Sequence, residues 1–234
     1  MKNIVSKIYL IFIIVTEVIM LLYFKRNFGG LTQLDFSNFT KFYFIFTEHG
    51  DSIFNSQDIL VNISYFSSLV FSFLYVLSAV PGMSANYRSI IIIRYNTRLK
   101  YWNQLKVSGF ISCLKCQIIT WITIILSCYL LLKPIKYTDL SIPLMILFLN
   151  SLFFMNLCIN LYSYITIRYN DIMAISGITI LIGVLLNIDI AVSGVSFITL
   201  GNINSSILGF IIIVVGYFLL NFILKIRISK IDLL

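Results

Sequence analysis

The sequence is poor in charged residues, proline, glycine and histidine, and each shortage excludes a class of protein. Charged residues make up 11% of the 234 positions and hydrophobic residues 59%, whereas globular domains carry about 25% charged residues. Only three prolines and eleven glycines occur, and no Ser/Gly/Pro-rich linker divides the chain. We therefore expect an integral membrane protein with one domain, residues 1–234.

The scarcity of histidine also limits the chemistry of the chain. His49 is the only histidine, so the His-Glu-x-x-His site of a membrane metallopeptidase is excluded. Cys113, Cys116, Cys128 and Cys158 all lie in apolar segments, where cysteine is most often a small buried hydrophobe. No phosphate-binding loop of the Gly-x-x-x-x-Gly-Lys type is present. We predict a non-catalytic chain that holds no cofactor or metal of its own.

Long apolar runs dominate what remains. A helix needs about 20 residues to cross about 30 Å of hydrocarbon, and six runs approach or exceed that length: residues 8–24, 59–80, 107–132, 141–165, 172–187 and 207–224. No small-residue cleavage site follows the first run, so we interpret it as a span and not as a signal peptide. The predicted fold is all-α, with six transmembrane helices.

The distribution of lysine and arginine predicts the orientation. If the N-terminus is cytoplasmic, the inner segments carry eleven basic residues and the outer segments five, as the positive-inside rule requires. Both termini are then cytoplasmic. The net charge of +8 is explained by anionic lipid headgroups, so we expect no nucleic-acid partner.

The largest predicted inner segment, about residues 81–106, is basic and amphipathic. Pro81-Gly82 breaks the preceding helix, and five basic residues follow with no acidic one. Apolar side chains then recur every three or four residues, at Ile92, Tyr95, Leu99, Trp102 and Leu105. Arg94 and Arg98 lie one turn apart on the flank of this stripe, and Tyr101 and Trp102 are typical interfacial anchors. The segment either lies on the lipid surface as an interfacial helix or docks a cytoplasmic partner.

One acidic residue lies within a predicted span. Glu17 is near the middle of the first run, and an intramembrane carboxyl is a functional candidate. Lys115 lies at a similar depth in the third run. Glu17 is alternatively protonated, or paired within the bundle for structure alone. A pair with Lys115 would lower the cost of burying both charges; otherwise Lys115 extends to the cytoplasmic border.

The fourth and fifth runs carry small and polar residues. Asn156, Asn160 and Ser163 share one helix face, which indicates hydrogen bonds between helices or the lining of a substrate path. Gly177 and Gly183 in the fifth run predict close helix packing.

The six-span topology, the basic loop after the second span and the lack of a nucleotide site resemble the permease subunits of type-2 ABC exporters. The run RSIIIIRYNTRLKYWNQ at 88–104 resembles an Arg-Tyr-x-x-Arg segment with tryptophan in small permeases of bacterial bacteriocin or peptide export and immunity systems. The resemblance implies that about residues 87–106 form a coupling helix against an ATPase. The residues implied in this contact are Arg88, Arg94, Tyr95, Arg98, Leu99, Tyr101 and Trp102.

The resemblance also implies a function and a set of partners. It predicts a multi-pass protein of a bacterial plasma membrane that pairs with a second permease copy, identical or related, and with an ATPase subunit that binds ATP and Mg²⁺. Glu17, Lys115, Asn156 and Asn160 are the candidate residues of the substrate path. Segment 188–204 is then expected to dip into the outer leaflet as short helices.

The substrate expected from the apolar spans is an amphipathic peptide or a lipid-like molecule. Two alternatives remain open at this point. One is a substrate-binding membrane subunit of a vitamin uptake system, although the Ala motifs of such subunits are missing from the third run. The other is a non-transporting immunity or sensor protein that binds a peptide at its long outer loop, about residues 25–58.

Overall fold

The fold is described from a computed structural model, which describes residues 2–28, 36–44, 59–80, 98–131, 141–168, 170–191, 195–200 and 203–231. Most of these residues lie in helices, and none of them lies in a strand. The helices are α1 (Lys2–Phe28), α2 (Phe36–Tyr43), α3 (Ile59–Ala79), α4 (Arg98–Leu131), α5 (Ser141–Arg168), α6 (Asp171–Ala191) and α7 (Ile203–Ile231).

Six of these helices are long and apolar enough to cross a membrane, namely all except α2. The predicted all-α fold with six spans is therefore confirmed. Helices are favoured because each backbone N–H and C=O is satisfied within the segment, which hydrocarbon requires.

Helix α4 begins nine residues before the predicted third span. It runs without a break from Arg98 to Leu131, about 51 Å at 1.5 Å per residue. Trp102 and Leu105 on its first turns are buried in the bundle instead of lying on lipid. The helix that contains the predicted third span therefore begins inside the segment 81–106 that the sequence analysis assigned to the inner loop.

Helix α5 is the centre of the bundle. Its span is 61% buried, whereas the other five spans are 17–39% buried. Helices α4, α6 and α7 pack around it, and α1 packs along α3. Large apolar side chains cover the outer surface of the bundle, as expected for a lipid-facing surface. Between α5 and α6 the chain turns tightly, and the Asn170 side chain caps α6 by accepting a hydrogen bond of 2.8 Å from the Met173 N–H.

The described part of the long loop between the first two spans packs into the bundle. Phe39, Phe42, Tyr43 and Phe44 are buried and contact one another and α1 through their rings, as in the tilted pair of Phe24 and Phe42 with centroids 5.2 Å apart. The sequence analysis left open that this loop binds an extracellular peptide. In its described part, residues 36–44, most of the aromatic side chains are buried in the core of the bundle.

The connection between the last two spans also folds back into the bundle. Ser196, Ile198, Thr199 and Leu200 are buried, although residues 195–200 are not helical. Short helices were expected over segment 188–204, but residues 188–191 continue α6 and residues 195–200 are not helical. The Leu200 N–H donates to the Phe44 carbonyl at 2.9 Å, so the two folded-back segments contact each other.

Three glycines differ in what surrounds them. A Cβ on Gly183 would meet the Phe66 ring at 3.4 Å, whereas a Cβ on Gly177 would have no neighbour within 4 Å. The close packing predicted from sequence therefore holds for Gly183 and is wrong for Gly177. The tightest approach is at Gly209 in α7, where a Cβ would lie 2.0 Å from the Ser196 carbonyl oxygen. Only glycine allows the folded-back segment to reach α7 at this point.

Candidate functional site

A small polar cavity lies inside the bundle, where α3, α4 and α5 meet residues 43 and 44. The space open to the centre of a water molecule is about 20 Å³, which holds about one water. Part of its wall is polar and comes from three spans: Ser68, Ser72, Gln117, Thr120 and Ser151. The rest is largely aromatic: Tyr43, Phe44, Tyr65 and Trp121. A polar cavity is unexpected in an apolar bundle and makes this region the candidate site.

Some of the polar wall is held by hydrogen bonds within the protein. The Ser151 hydroxyl lies 3.1 Å from the Gln117 side-chain oxygen and donates to it. The Tyr65 hydroxyl donates to the Ile198 carbonyl of the folded-back segment. In contrast, the buried hydroxyls of Tyr43 and Thr120 make no hydrogen bond of good geometry. Each of them nevertheless has a polar neighbour, which is Ser68 for Tyr43 and the Cys116 thiol for Thr120.

The carboxyl group of Glu17 does not line this cavity but lies close enough to influence Tyr43, which does. Its side chain is 1% exposed, and neither carboxyl oxygen has a hydrogen-bond partner. It interacts electrostatically with the Tyr43 hydroxyl, which lines the cavity, and with the Cys116 thiol. Cys116 in turn touches Ser72 and Thr120 of the wall. An acidic group and a set of hydroxyls thus converge from α1, α3 and α4.

Lys115 does not pair with Glu17. It is exposed on the outside of α4, while Glu17 is buried and its carboxyl oxygens are unpartnered. The pairing considered from sequence is therefore wrong. The exposed position of Lys115 fits the alternative, in which its long side chain reaches towards the membrane border.

Only some of the predicted coupling residues lie in the part of the chain that the structure describes. Arg88, Arg94 and Tyr95 lie outside the described residues, and of Arg98, Leu99 and Tyr101 only the helical backbone is described. Trp102 is 2% exposed and packs against Leu224 of α7. It therefore joins the start of α4 to α7.

The predicted polar stripe on α5 lies apart from the cavity. Asn156 donates to the Leu152 carbonyl of its own helix at 2.8 Å, and Ser163 donates to the Ile159 carbonyl at 2.9 Å. The Asn160 side-chain N–H donates to the Asn221 side-chain oxygen on α7 at 3.3 Å. Of the two predicted roles, hydrogen bonding between helices is the one seen for Asn160, and none of the three residues lines the cavity.

The burial of the four cysteines confirms the prediction that they are small buried hydrophobes. All four are free and buried, and the described residues contain no group of three or more His, Cys, Asp or Glu side chains that could hold a metal ion. Cys113 and Cys116 lie one turn apart on α4, and no disulfide forms between them.

Sequence reasoning found Glu17 but missed the wall of the cavity. The available signals were Ser68 and Ser72 four residues apart on α3 and Gln117 and Thr120 three apart on α4, spacings that place each pair on one helix face. The signal is weak because Ser and Thr inside spans often only bond their own helix, as Thr123 does with Ile119.

Comparison with known proteins identifies no relative. No protein-family model matches the chain, and no curated protein and no solved structure matches it either. The site must therefore be interpreted from its own chemistry.

Proposed function

We propose that this chain is the permease subunit of an ATP-driven exporter in a bacterial plasma membrane, with ATP hydrolysed by a separate subunit. The observation that carries the proposal is a pair of polar features inside a bundle with six apolar spans: the buried, unpartnered Glu17 carboxyl and a polar cavity between α3, α4 and α5. Each unsatisfied buried polar group costs about 1–3 kcal/mol. A helix bundle that served only as an anchor would gain nothing from that cost, whereas a translocating subunit needs polar groups inside the membrane.

The position and length of α4 support a separate ATPase subunit as the source of energy. The chain contains no phosphate-binding loop, and its most basic connection, residues 81–97, leads directly into α4. The first turns of α4 are fixed to α7 through Trp102 and Leu224, and the same helix carries Gln117 and Thr120 to the cavity. If an ATPase displaced this connection, α4 would therefore transmit the movement to the cavity as one continuous helix. The distance along the helix axis from Trp102 to Gln117 is about 22 Å.

The proposed substrate is an amphipathic peptide or a lipid-like molecule, because the bundle combines an apolar surface with a polar interior. The immunity or sensor alternative requires a free outer loop to bind its peptide. Phe39, Tyr43 and Phe44 are buried in the bundle, so these aromatic side chains of the loop are not available to a peptide. We therefore favour transport over peptide capture.

Co-purification tests the proposal. Detergent-solubilised protein should bring down an ABC ATPase, and the double charge reversal Arg94→Glu with Arg98→Glu should abolish this without changing the amount of membrane-inserted protein. Lys25→Glu with Arg26→Glu is the matched control, since both residues are exposed at the opposite end of α1, and it should leave binding intact. Recovery of the wild-type protein without any ATPase, or unchanged recovery with the Arg94/Arg98 variant, would contradict the proposal.

A further inference from the structure

Two lysines lie close together where the start of α4 meets the end of α7. Trp102 on the first turns of α4 packs against Leu224 of α7, with Tyr164 of α5 beside them. Lys106 lies one turn after Trp102 on the same side of α4, and Lys225 directly follows Leu224. The charge of Lys225 is close enough to act on Lys106. Two like charges are thus brought together from two different helices.

The sequence has too few acidic residues at this end of the bundle to neutralise its positive charge. The ends of α4, α5, α6 and α7 carry seven basic and two acidic residues here: Arg98, Lys100, Lys106, Arg168, Lys225, Arg227 and Lys230 against Asp171 and Asp232. The connection 81–97 contains no acid. Asp171 begins α6, which packs mainly against α5 and α3, and Asp232 follows the end of α7, about 9 Å along the helix axis beyond Lys225. In the predicted topology the other acidic residues, Glu17 apart, lie towards the opposite ends of the spans, so most of this charge has to be balanced from outside the chain.

The depth and the surroundings of the two lysines fit a lipid molecule. They lie at the border of two apolar spans, Trp102–Leu131 and Ile203–Ile226. The first of these is about 45 Å long, which exceeds the hydrocarbon core of about 30 Å, so its first turns reach the headgroup region. Exposed apolar side chains adjoin the lysines, among them Val107 on α4 and Ile223 on α7. Acyl chains cover such a surface, whereas the acidic surface of a soluble protein would have to enter the membrane to reach Lys106.

We propose that Lys106 and Lys225 together bind the phosphate of an anionic phospholipid, whose acyl chains lie on the apolar surfaces of α4 and α7. Each ammonium group donates up to three hydrogen bonds, and basic pockets between spans recognise anionic headgroups. The indole N–H of Trp102, one turn from Lys106, is a further donor and makes no hydrogen bond with the described residues. The lipid would join α4 to α7 by neutralising the repulsion between the lysines. This inference goes beyond the proposed function and does not depend on it.

Trp102 provides a reporter for this lipid. The chain contains two tryptophans, so in a Trp121→Phe background the fluorescence comes from Trp102 alone. The protein is reconstituted in phosphatidylcholine vesicles with increasing fractions of phosphatidylglycerol that is brominated near the headgroup end of its acyl chains, or of phosphatidylcholine brominated in the same way. Bromine quenches tryptophan at short range. Because each lysine beside an anionic headgroup contributes about fivefold in affinity, brominated phosphatidylglycerol should reach half-maximal quenching at a roughly 20-fold lower fraction than brominated phosphatidylcholine.

Variants assign the preference to the two lysines. Lys106→Gln with Lys225→Gln should reduce it by about tenfold or more, and Lys225→Gln alone, at an exposed position, by about fivefold. Lys106→Arg with Lys225→Arg keeps both charges and should retain the preference. Lys7→Gln with Lys115→Gln is the matched control, because it removes the same charge from exposed lysines of α1 and α4, and it should bind as the parent does. Unaltered thermal unfolding would show that the variants are folded.

Several results would overturn the lipid site. They are equal quenching of the parent protein by the two brominated lipids, an unchanged preference in the Lys106/Lys225 glutamine variant, and an equal loss in the Lys7/Lys115 control, which would indicate non-specific attraction. Abolition of the preference by excess inorganic phosphate, at an ionic strength matched with chloride, would assign the lysines to free phosphate and also overturn it. Failure of ATPase co-purification would remove the proposed function and leave the lipid preference unaffected.

Discussion

Replacing Asp189 should detach residues 195–200, the folded-back segment between the last two spans, from the bundle. The Asp189 carboxylate is fully buried near the end of α6, where the helix dipole disfavours an acid. It is stabilised instead by the segment that follows: its oxygens accept hydrogen bonds from the N–H groups of Phe197 at 3.0 Å, Ile198 at 2.7 Å and Thr199 at 3.0 Å, and from the Thr199 hydroxyl at 3.2 Å.

The loss of stability in Asp189→Ala follows from the hydrogen-bond donors that it leaves without an acceptor. Three backbone N–H groups and one hydroxyl lose their acceptor, and breaking a buried charged network of this kind costs about 3–5 kcal/mol. For a chain of this size, 1 kcal/mol corresponds to about 2–4 °C in the unfolding midpoint, so the midpoint should fall by roughly 6–20 °C. Asp189→Asn should cost about half as much, because its carbonyl still accepts, but hydrogen bonds to a neutral oxygen are about half as strong.

Thiol reactivity provides the assay. All four cysteines are buried, so a maleimide dye that fluoresces on reaction reports unfolding of the detergent-solubilised protein. Asn187→Ala is the matched control, since Asn187 is exposed two residues away and bonds only the Gly183 carbonyl of its own helix, at 2.8 Å. A midpoint for Asp189→Ala within about 2 °C of the wild type would refute the proposed clamp.

Two further substitutions test the packing and the charge placement, with the same thiol assay. Gly209→Ala should lower the free energy of unfolding by about 1–3 kcal/mol or more, because its Cβ would lie 2.0 Å from the Ser196 carbonyl oxygen. The control Gly216→Ala, whose Cβ would have its nearest contact at 3.6 Å, should be neutral or slightly stabilising. Equal effects of the two substitutions would contradict the close approach at Gly209. Glu17→Gln should hold or raise the midpoint, and its effect should add to that of Lys115→Met within about 0.5 kcal/mol. A coupling above about 1 kcal/mol would mean that the two side chains interact after all.

The spans were predictable because their signal is local. Six long apolar runs gave six helices, since burying backbone in lipid leaves few alternatives. The start of α4 was not predictable in the same way. Hydropathy predicts that the span begins only at residue 107, but the helix begins at Arg98. Trp102 and Leu105 extend it by packing against protein. Mean hydropathy does not separate contact with protein from contact with lipid.

The candidate site was predictable only in its most unusual residue. Glu17 stands out in the sequence as the one acidic residue in a long apolar run, and its side chain is buried in the structure. Its pairing with Lys115 was inferred from equal depth, and depth does not specify the direction of a side chain around the helix axis. The serines and threonines of the wall each look ordinary, and only the packing of α3, α4 and α5 brings them together.

The folded-back segment and the cavity form one mechanical unit. The segment held by Asp189 accepts a hydrogen bond from Tyr65 through Ile198 and donates one from Leu200 to Phe44, and both Tyr65 and Phe44 are walls of the cavity. A loss of the Asp189 clamp therefore removes two of the contacts that hold the aromatic rings in place. Because the cavity is only about the size of one water molecule, a shift of these rings by a fraction of an ångström would alter what it can hold. The segment between the last two spans thus determines the geometry of the site, although none of its residues lines the cavity.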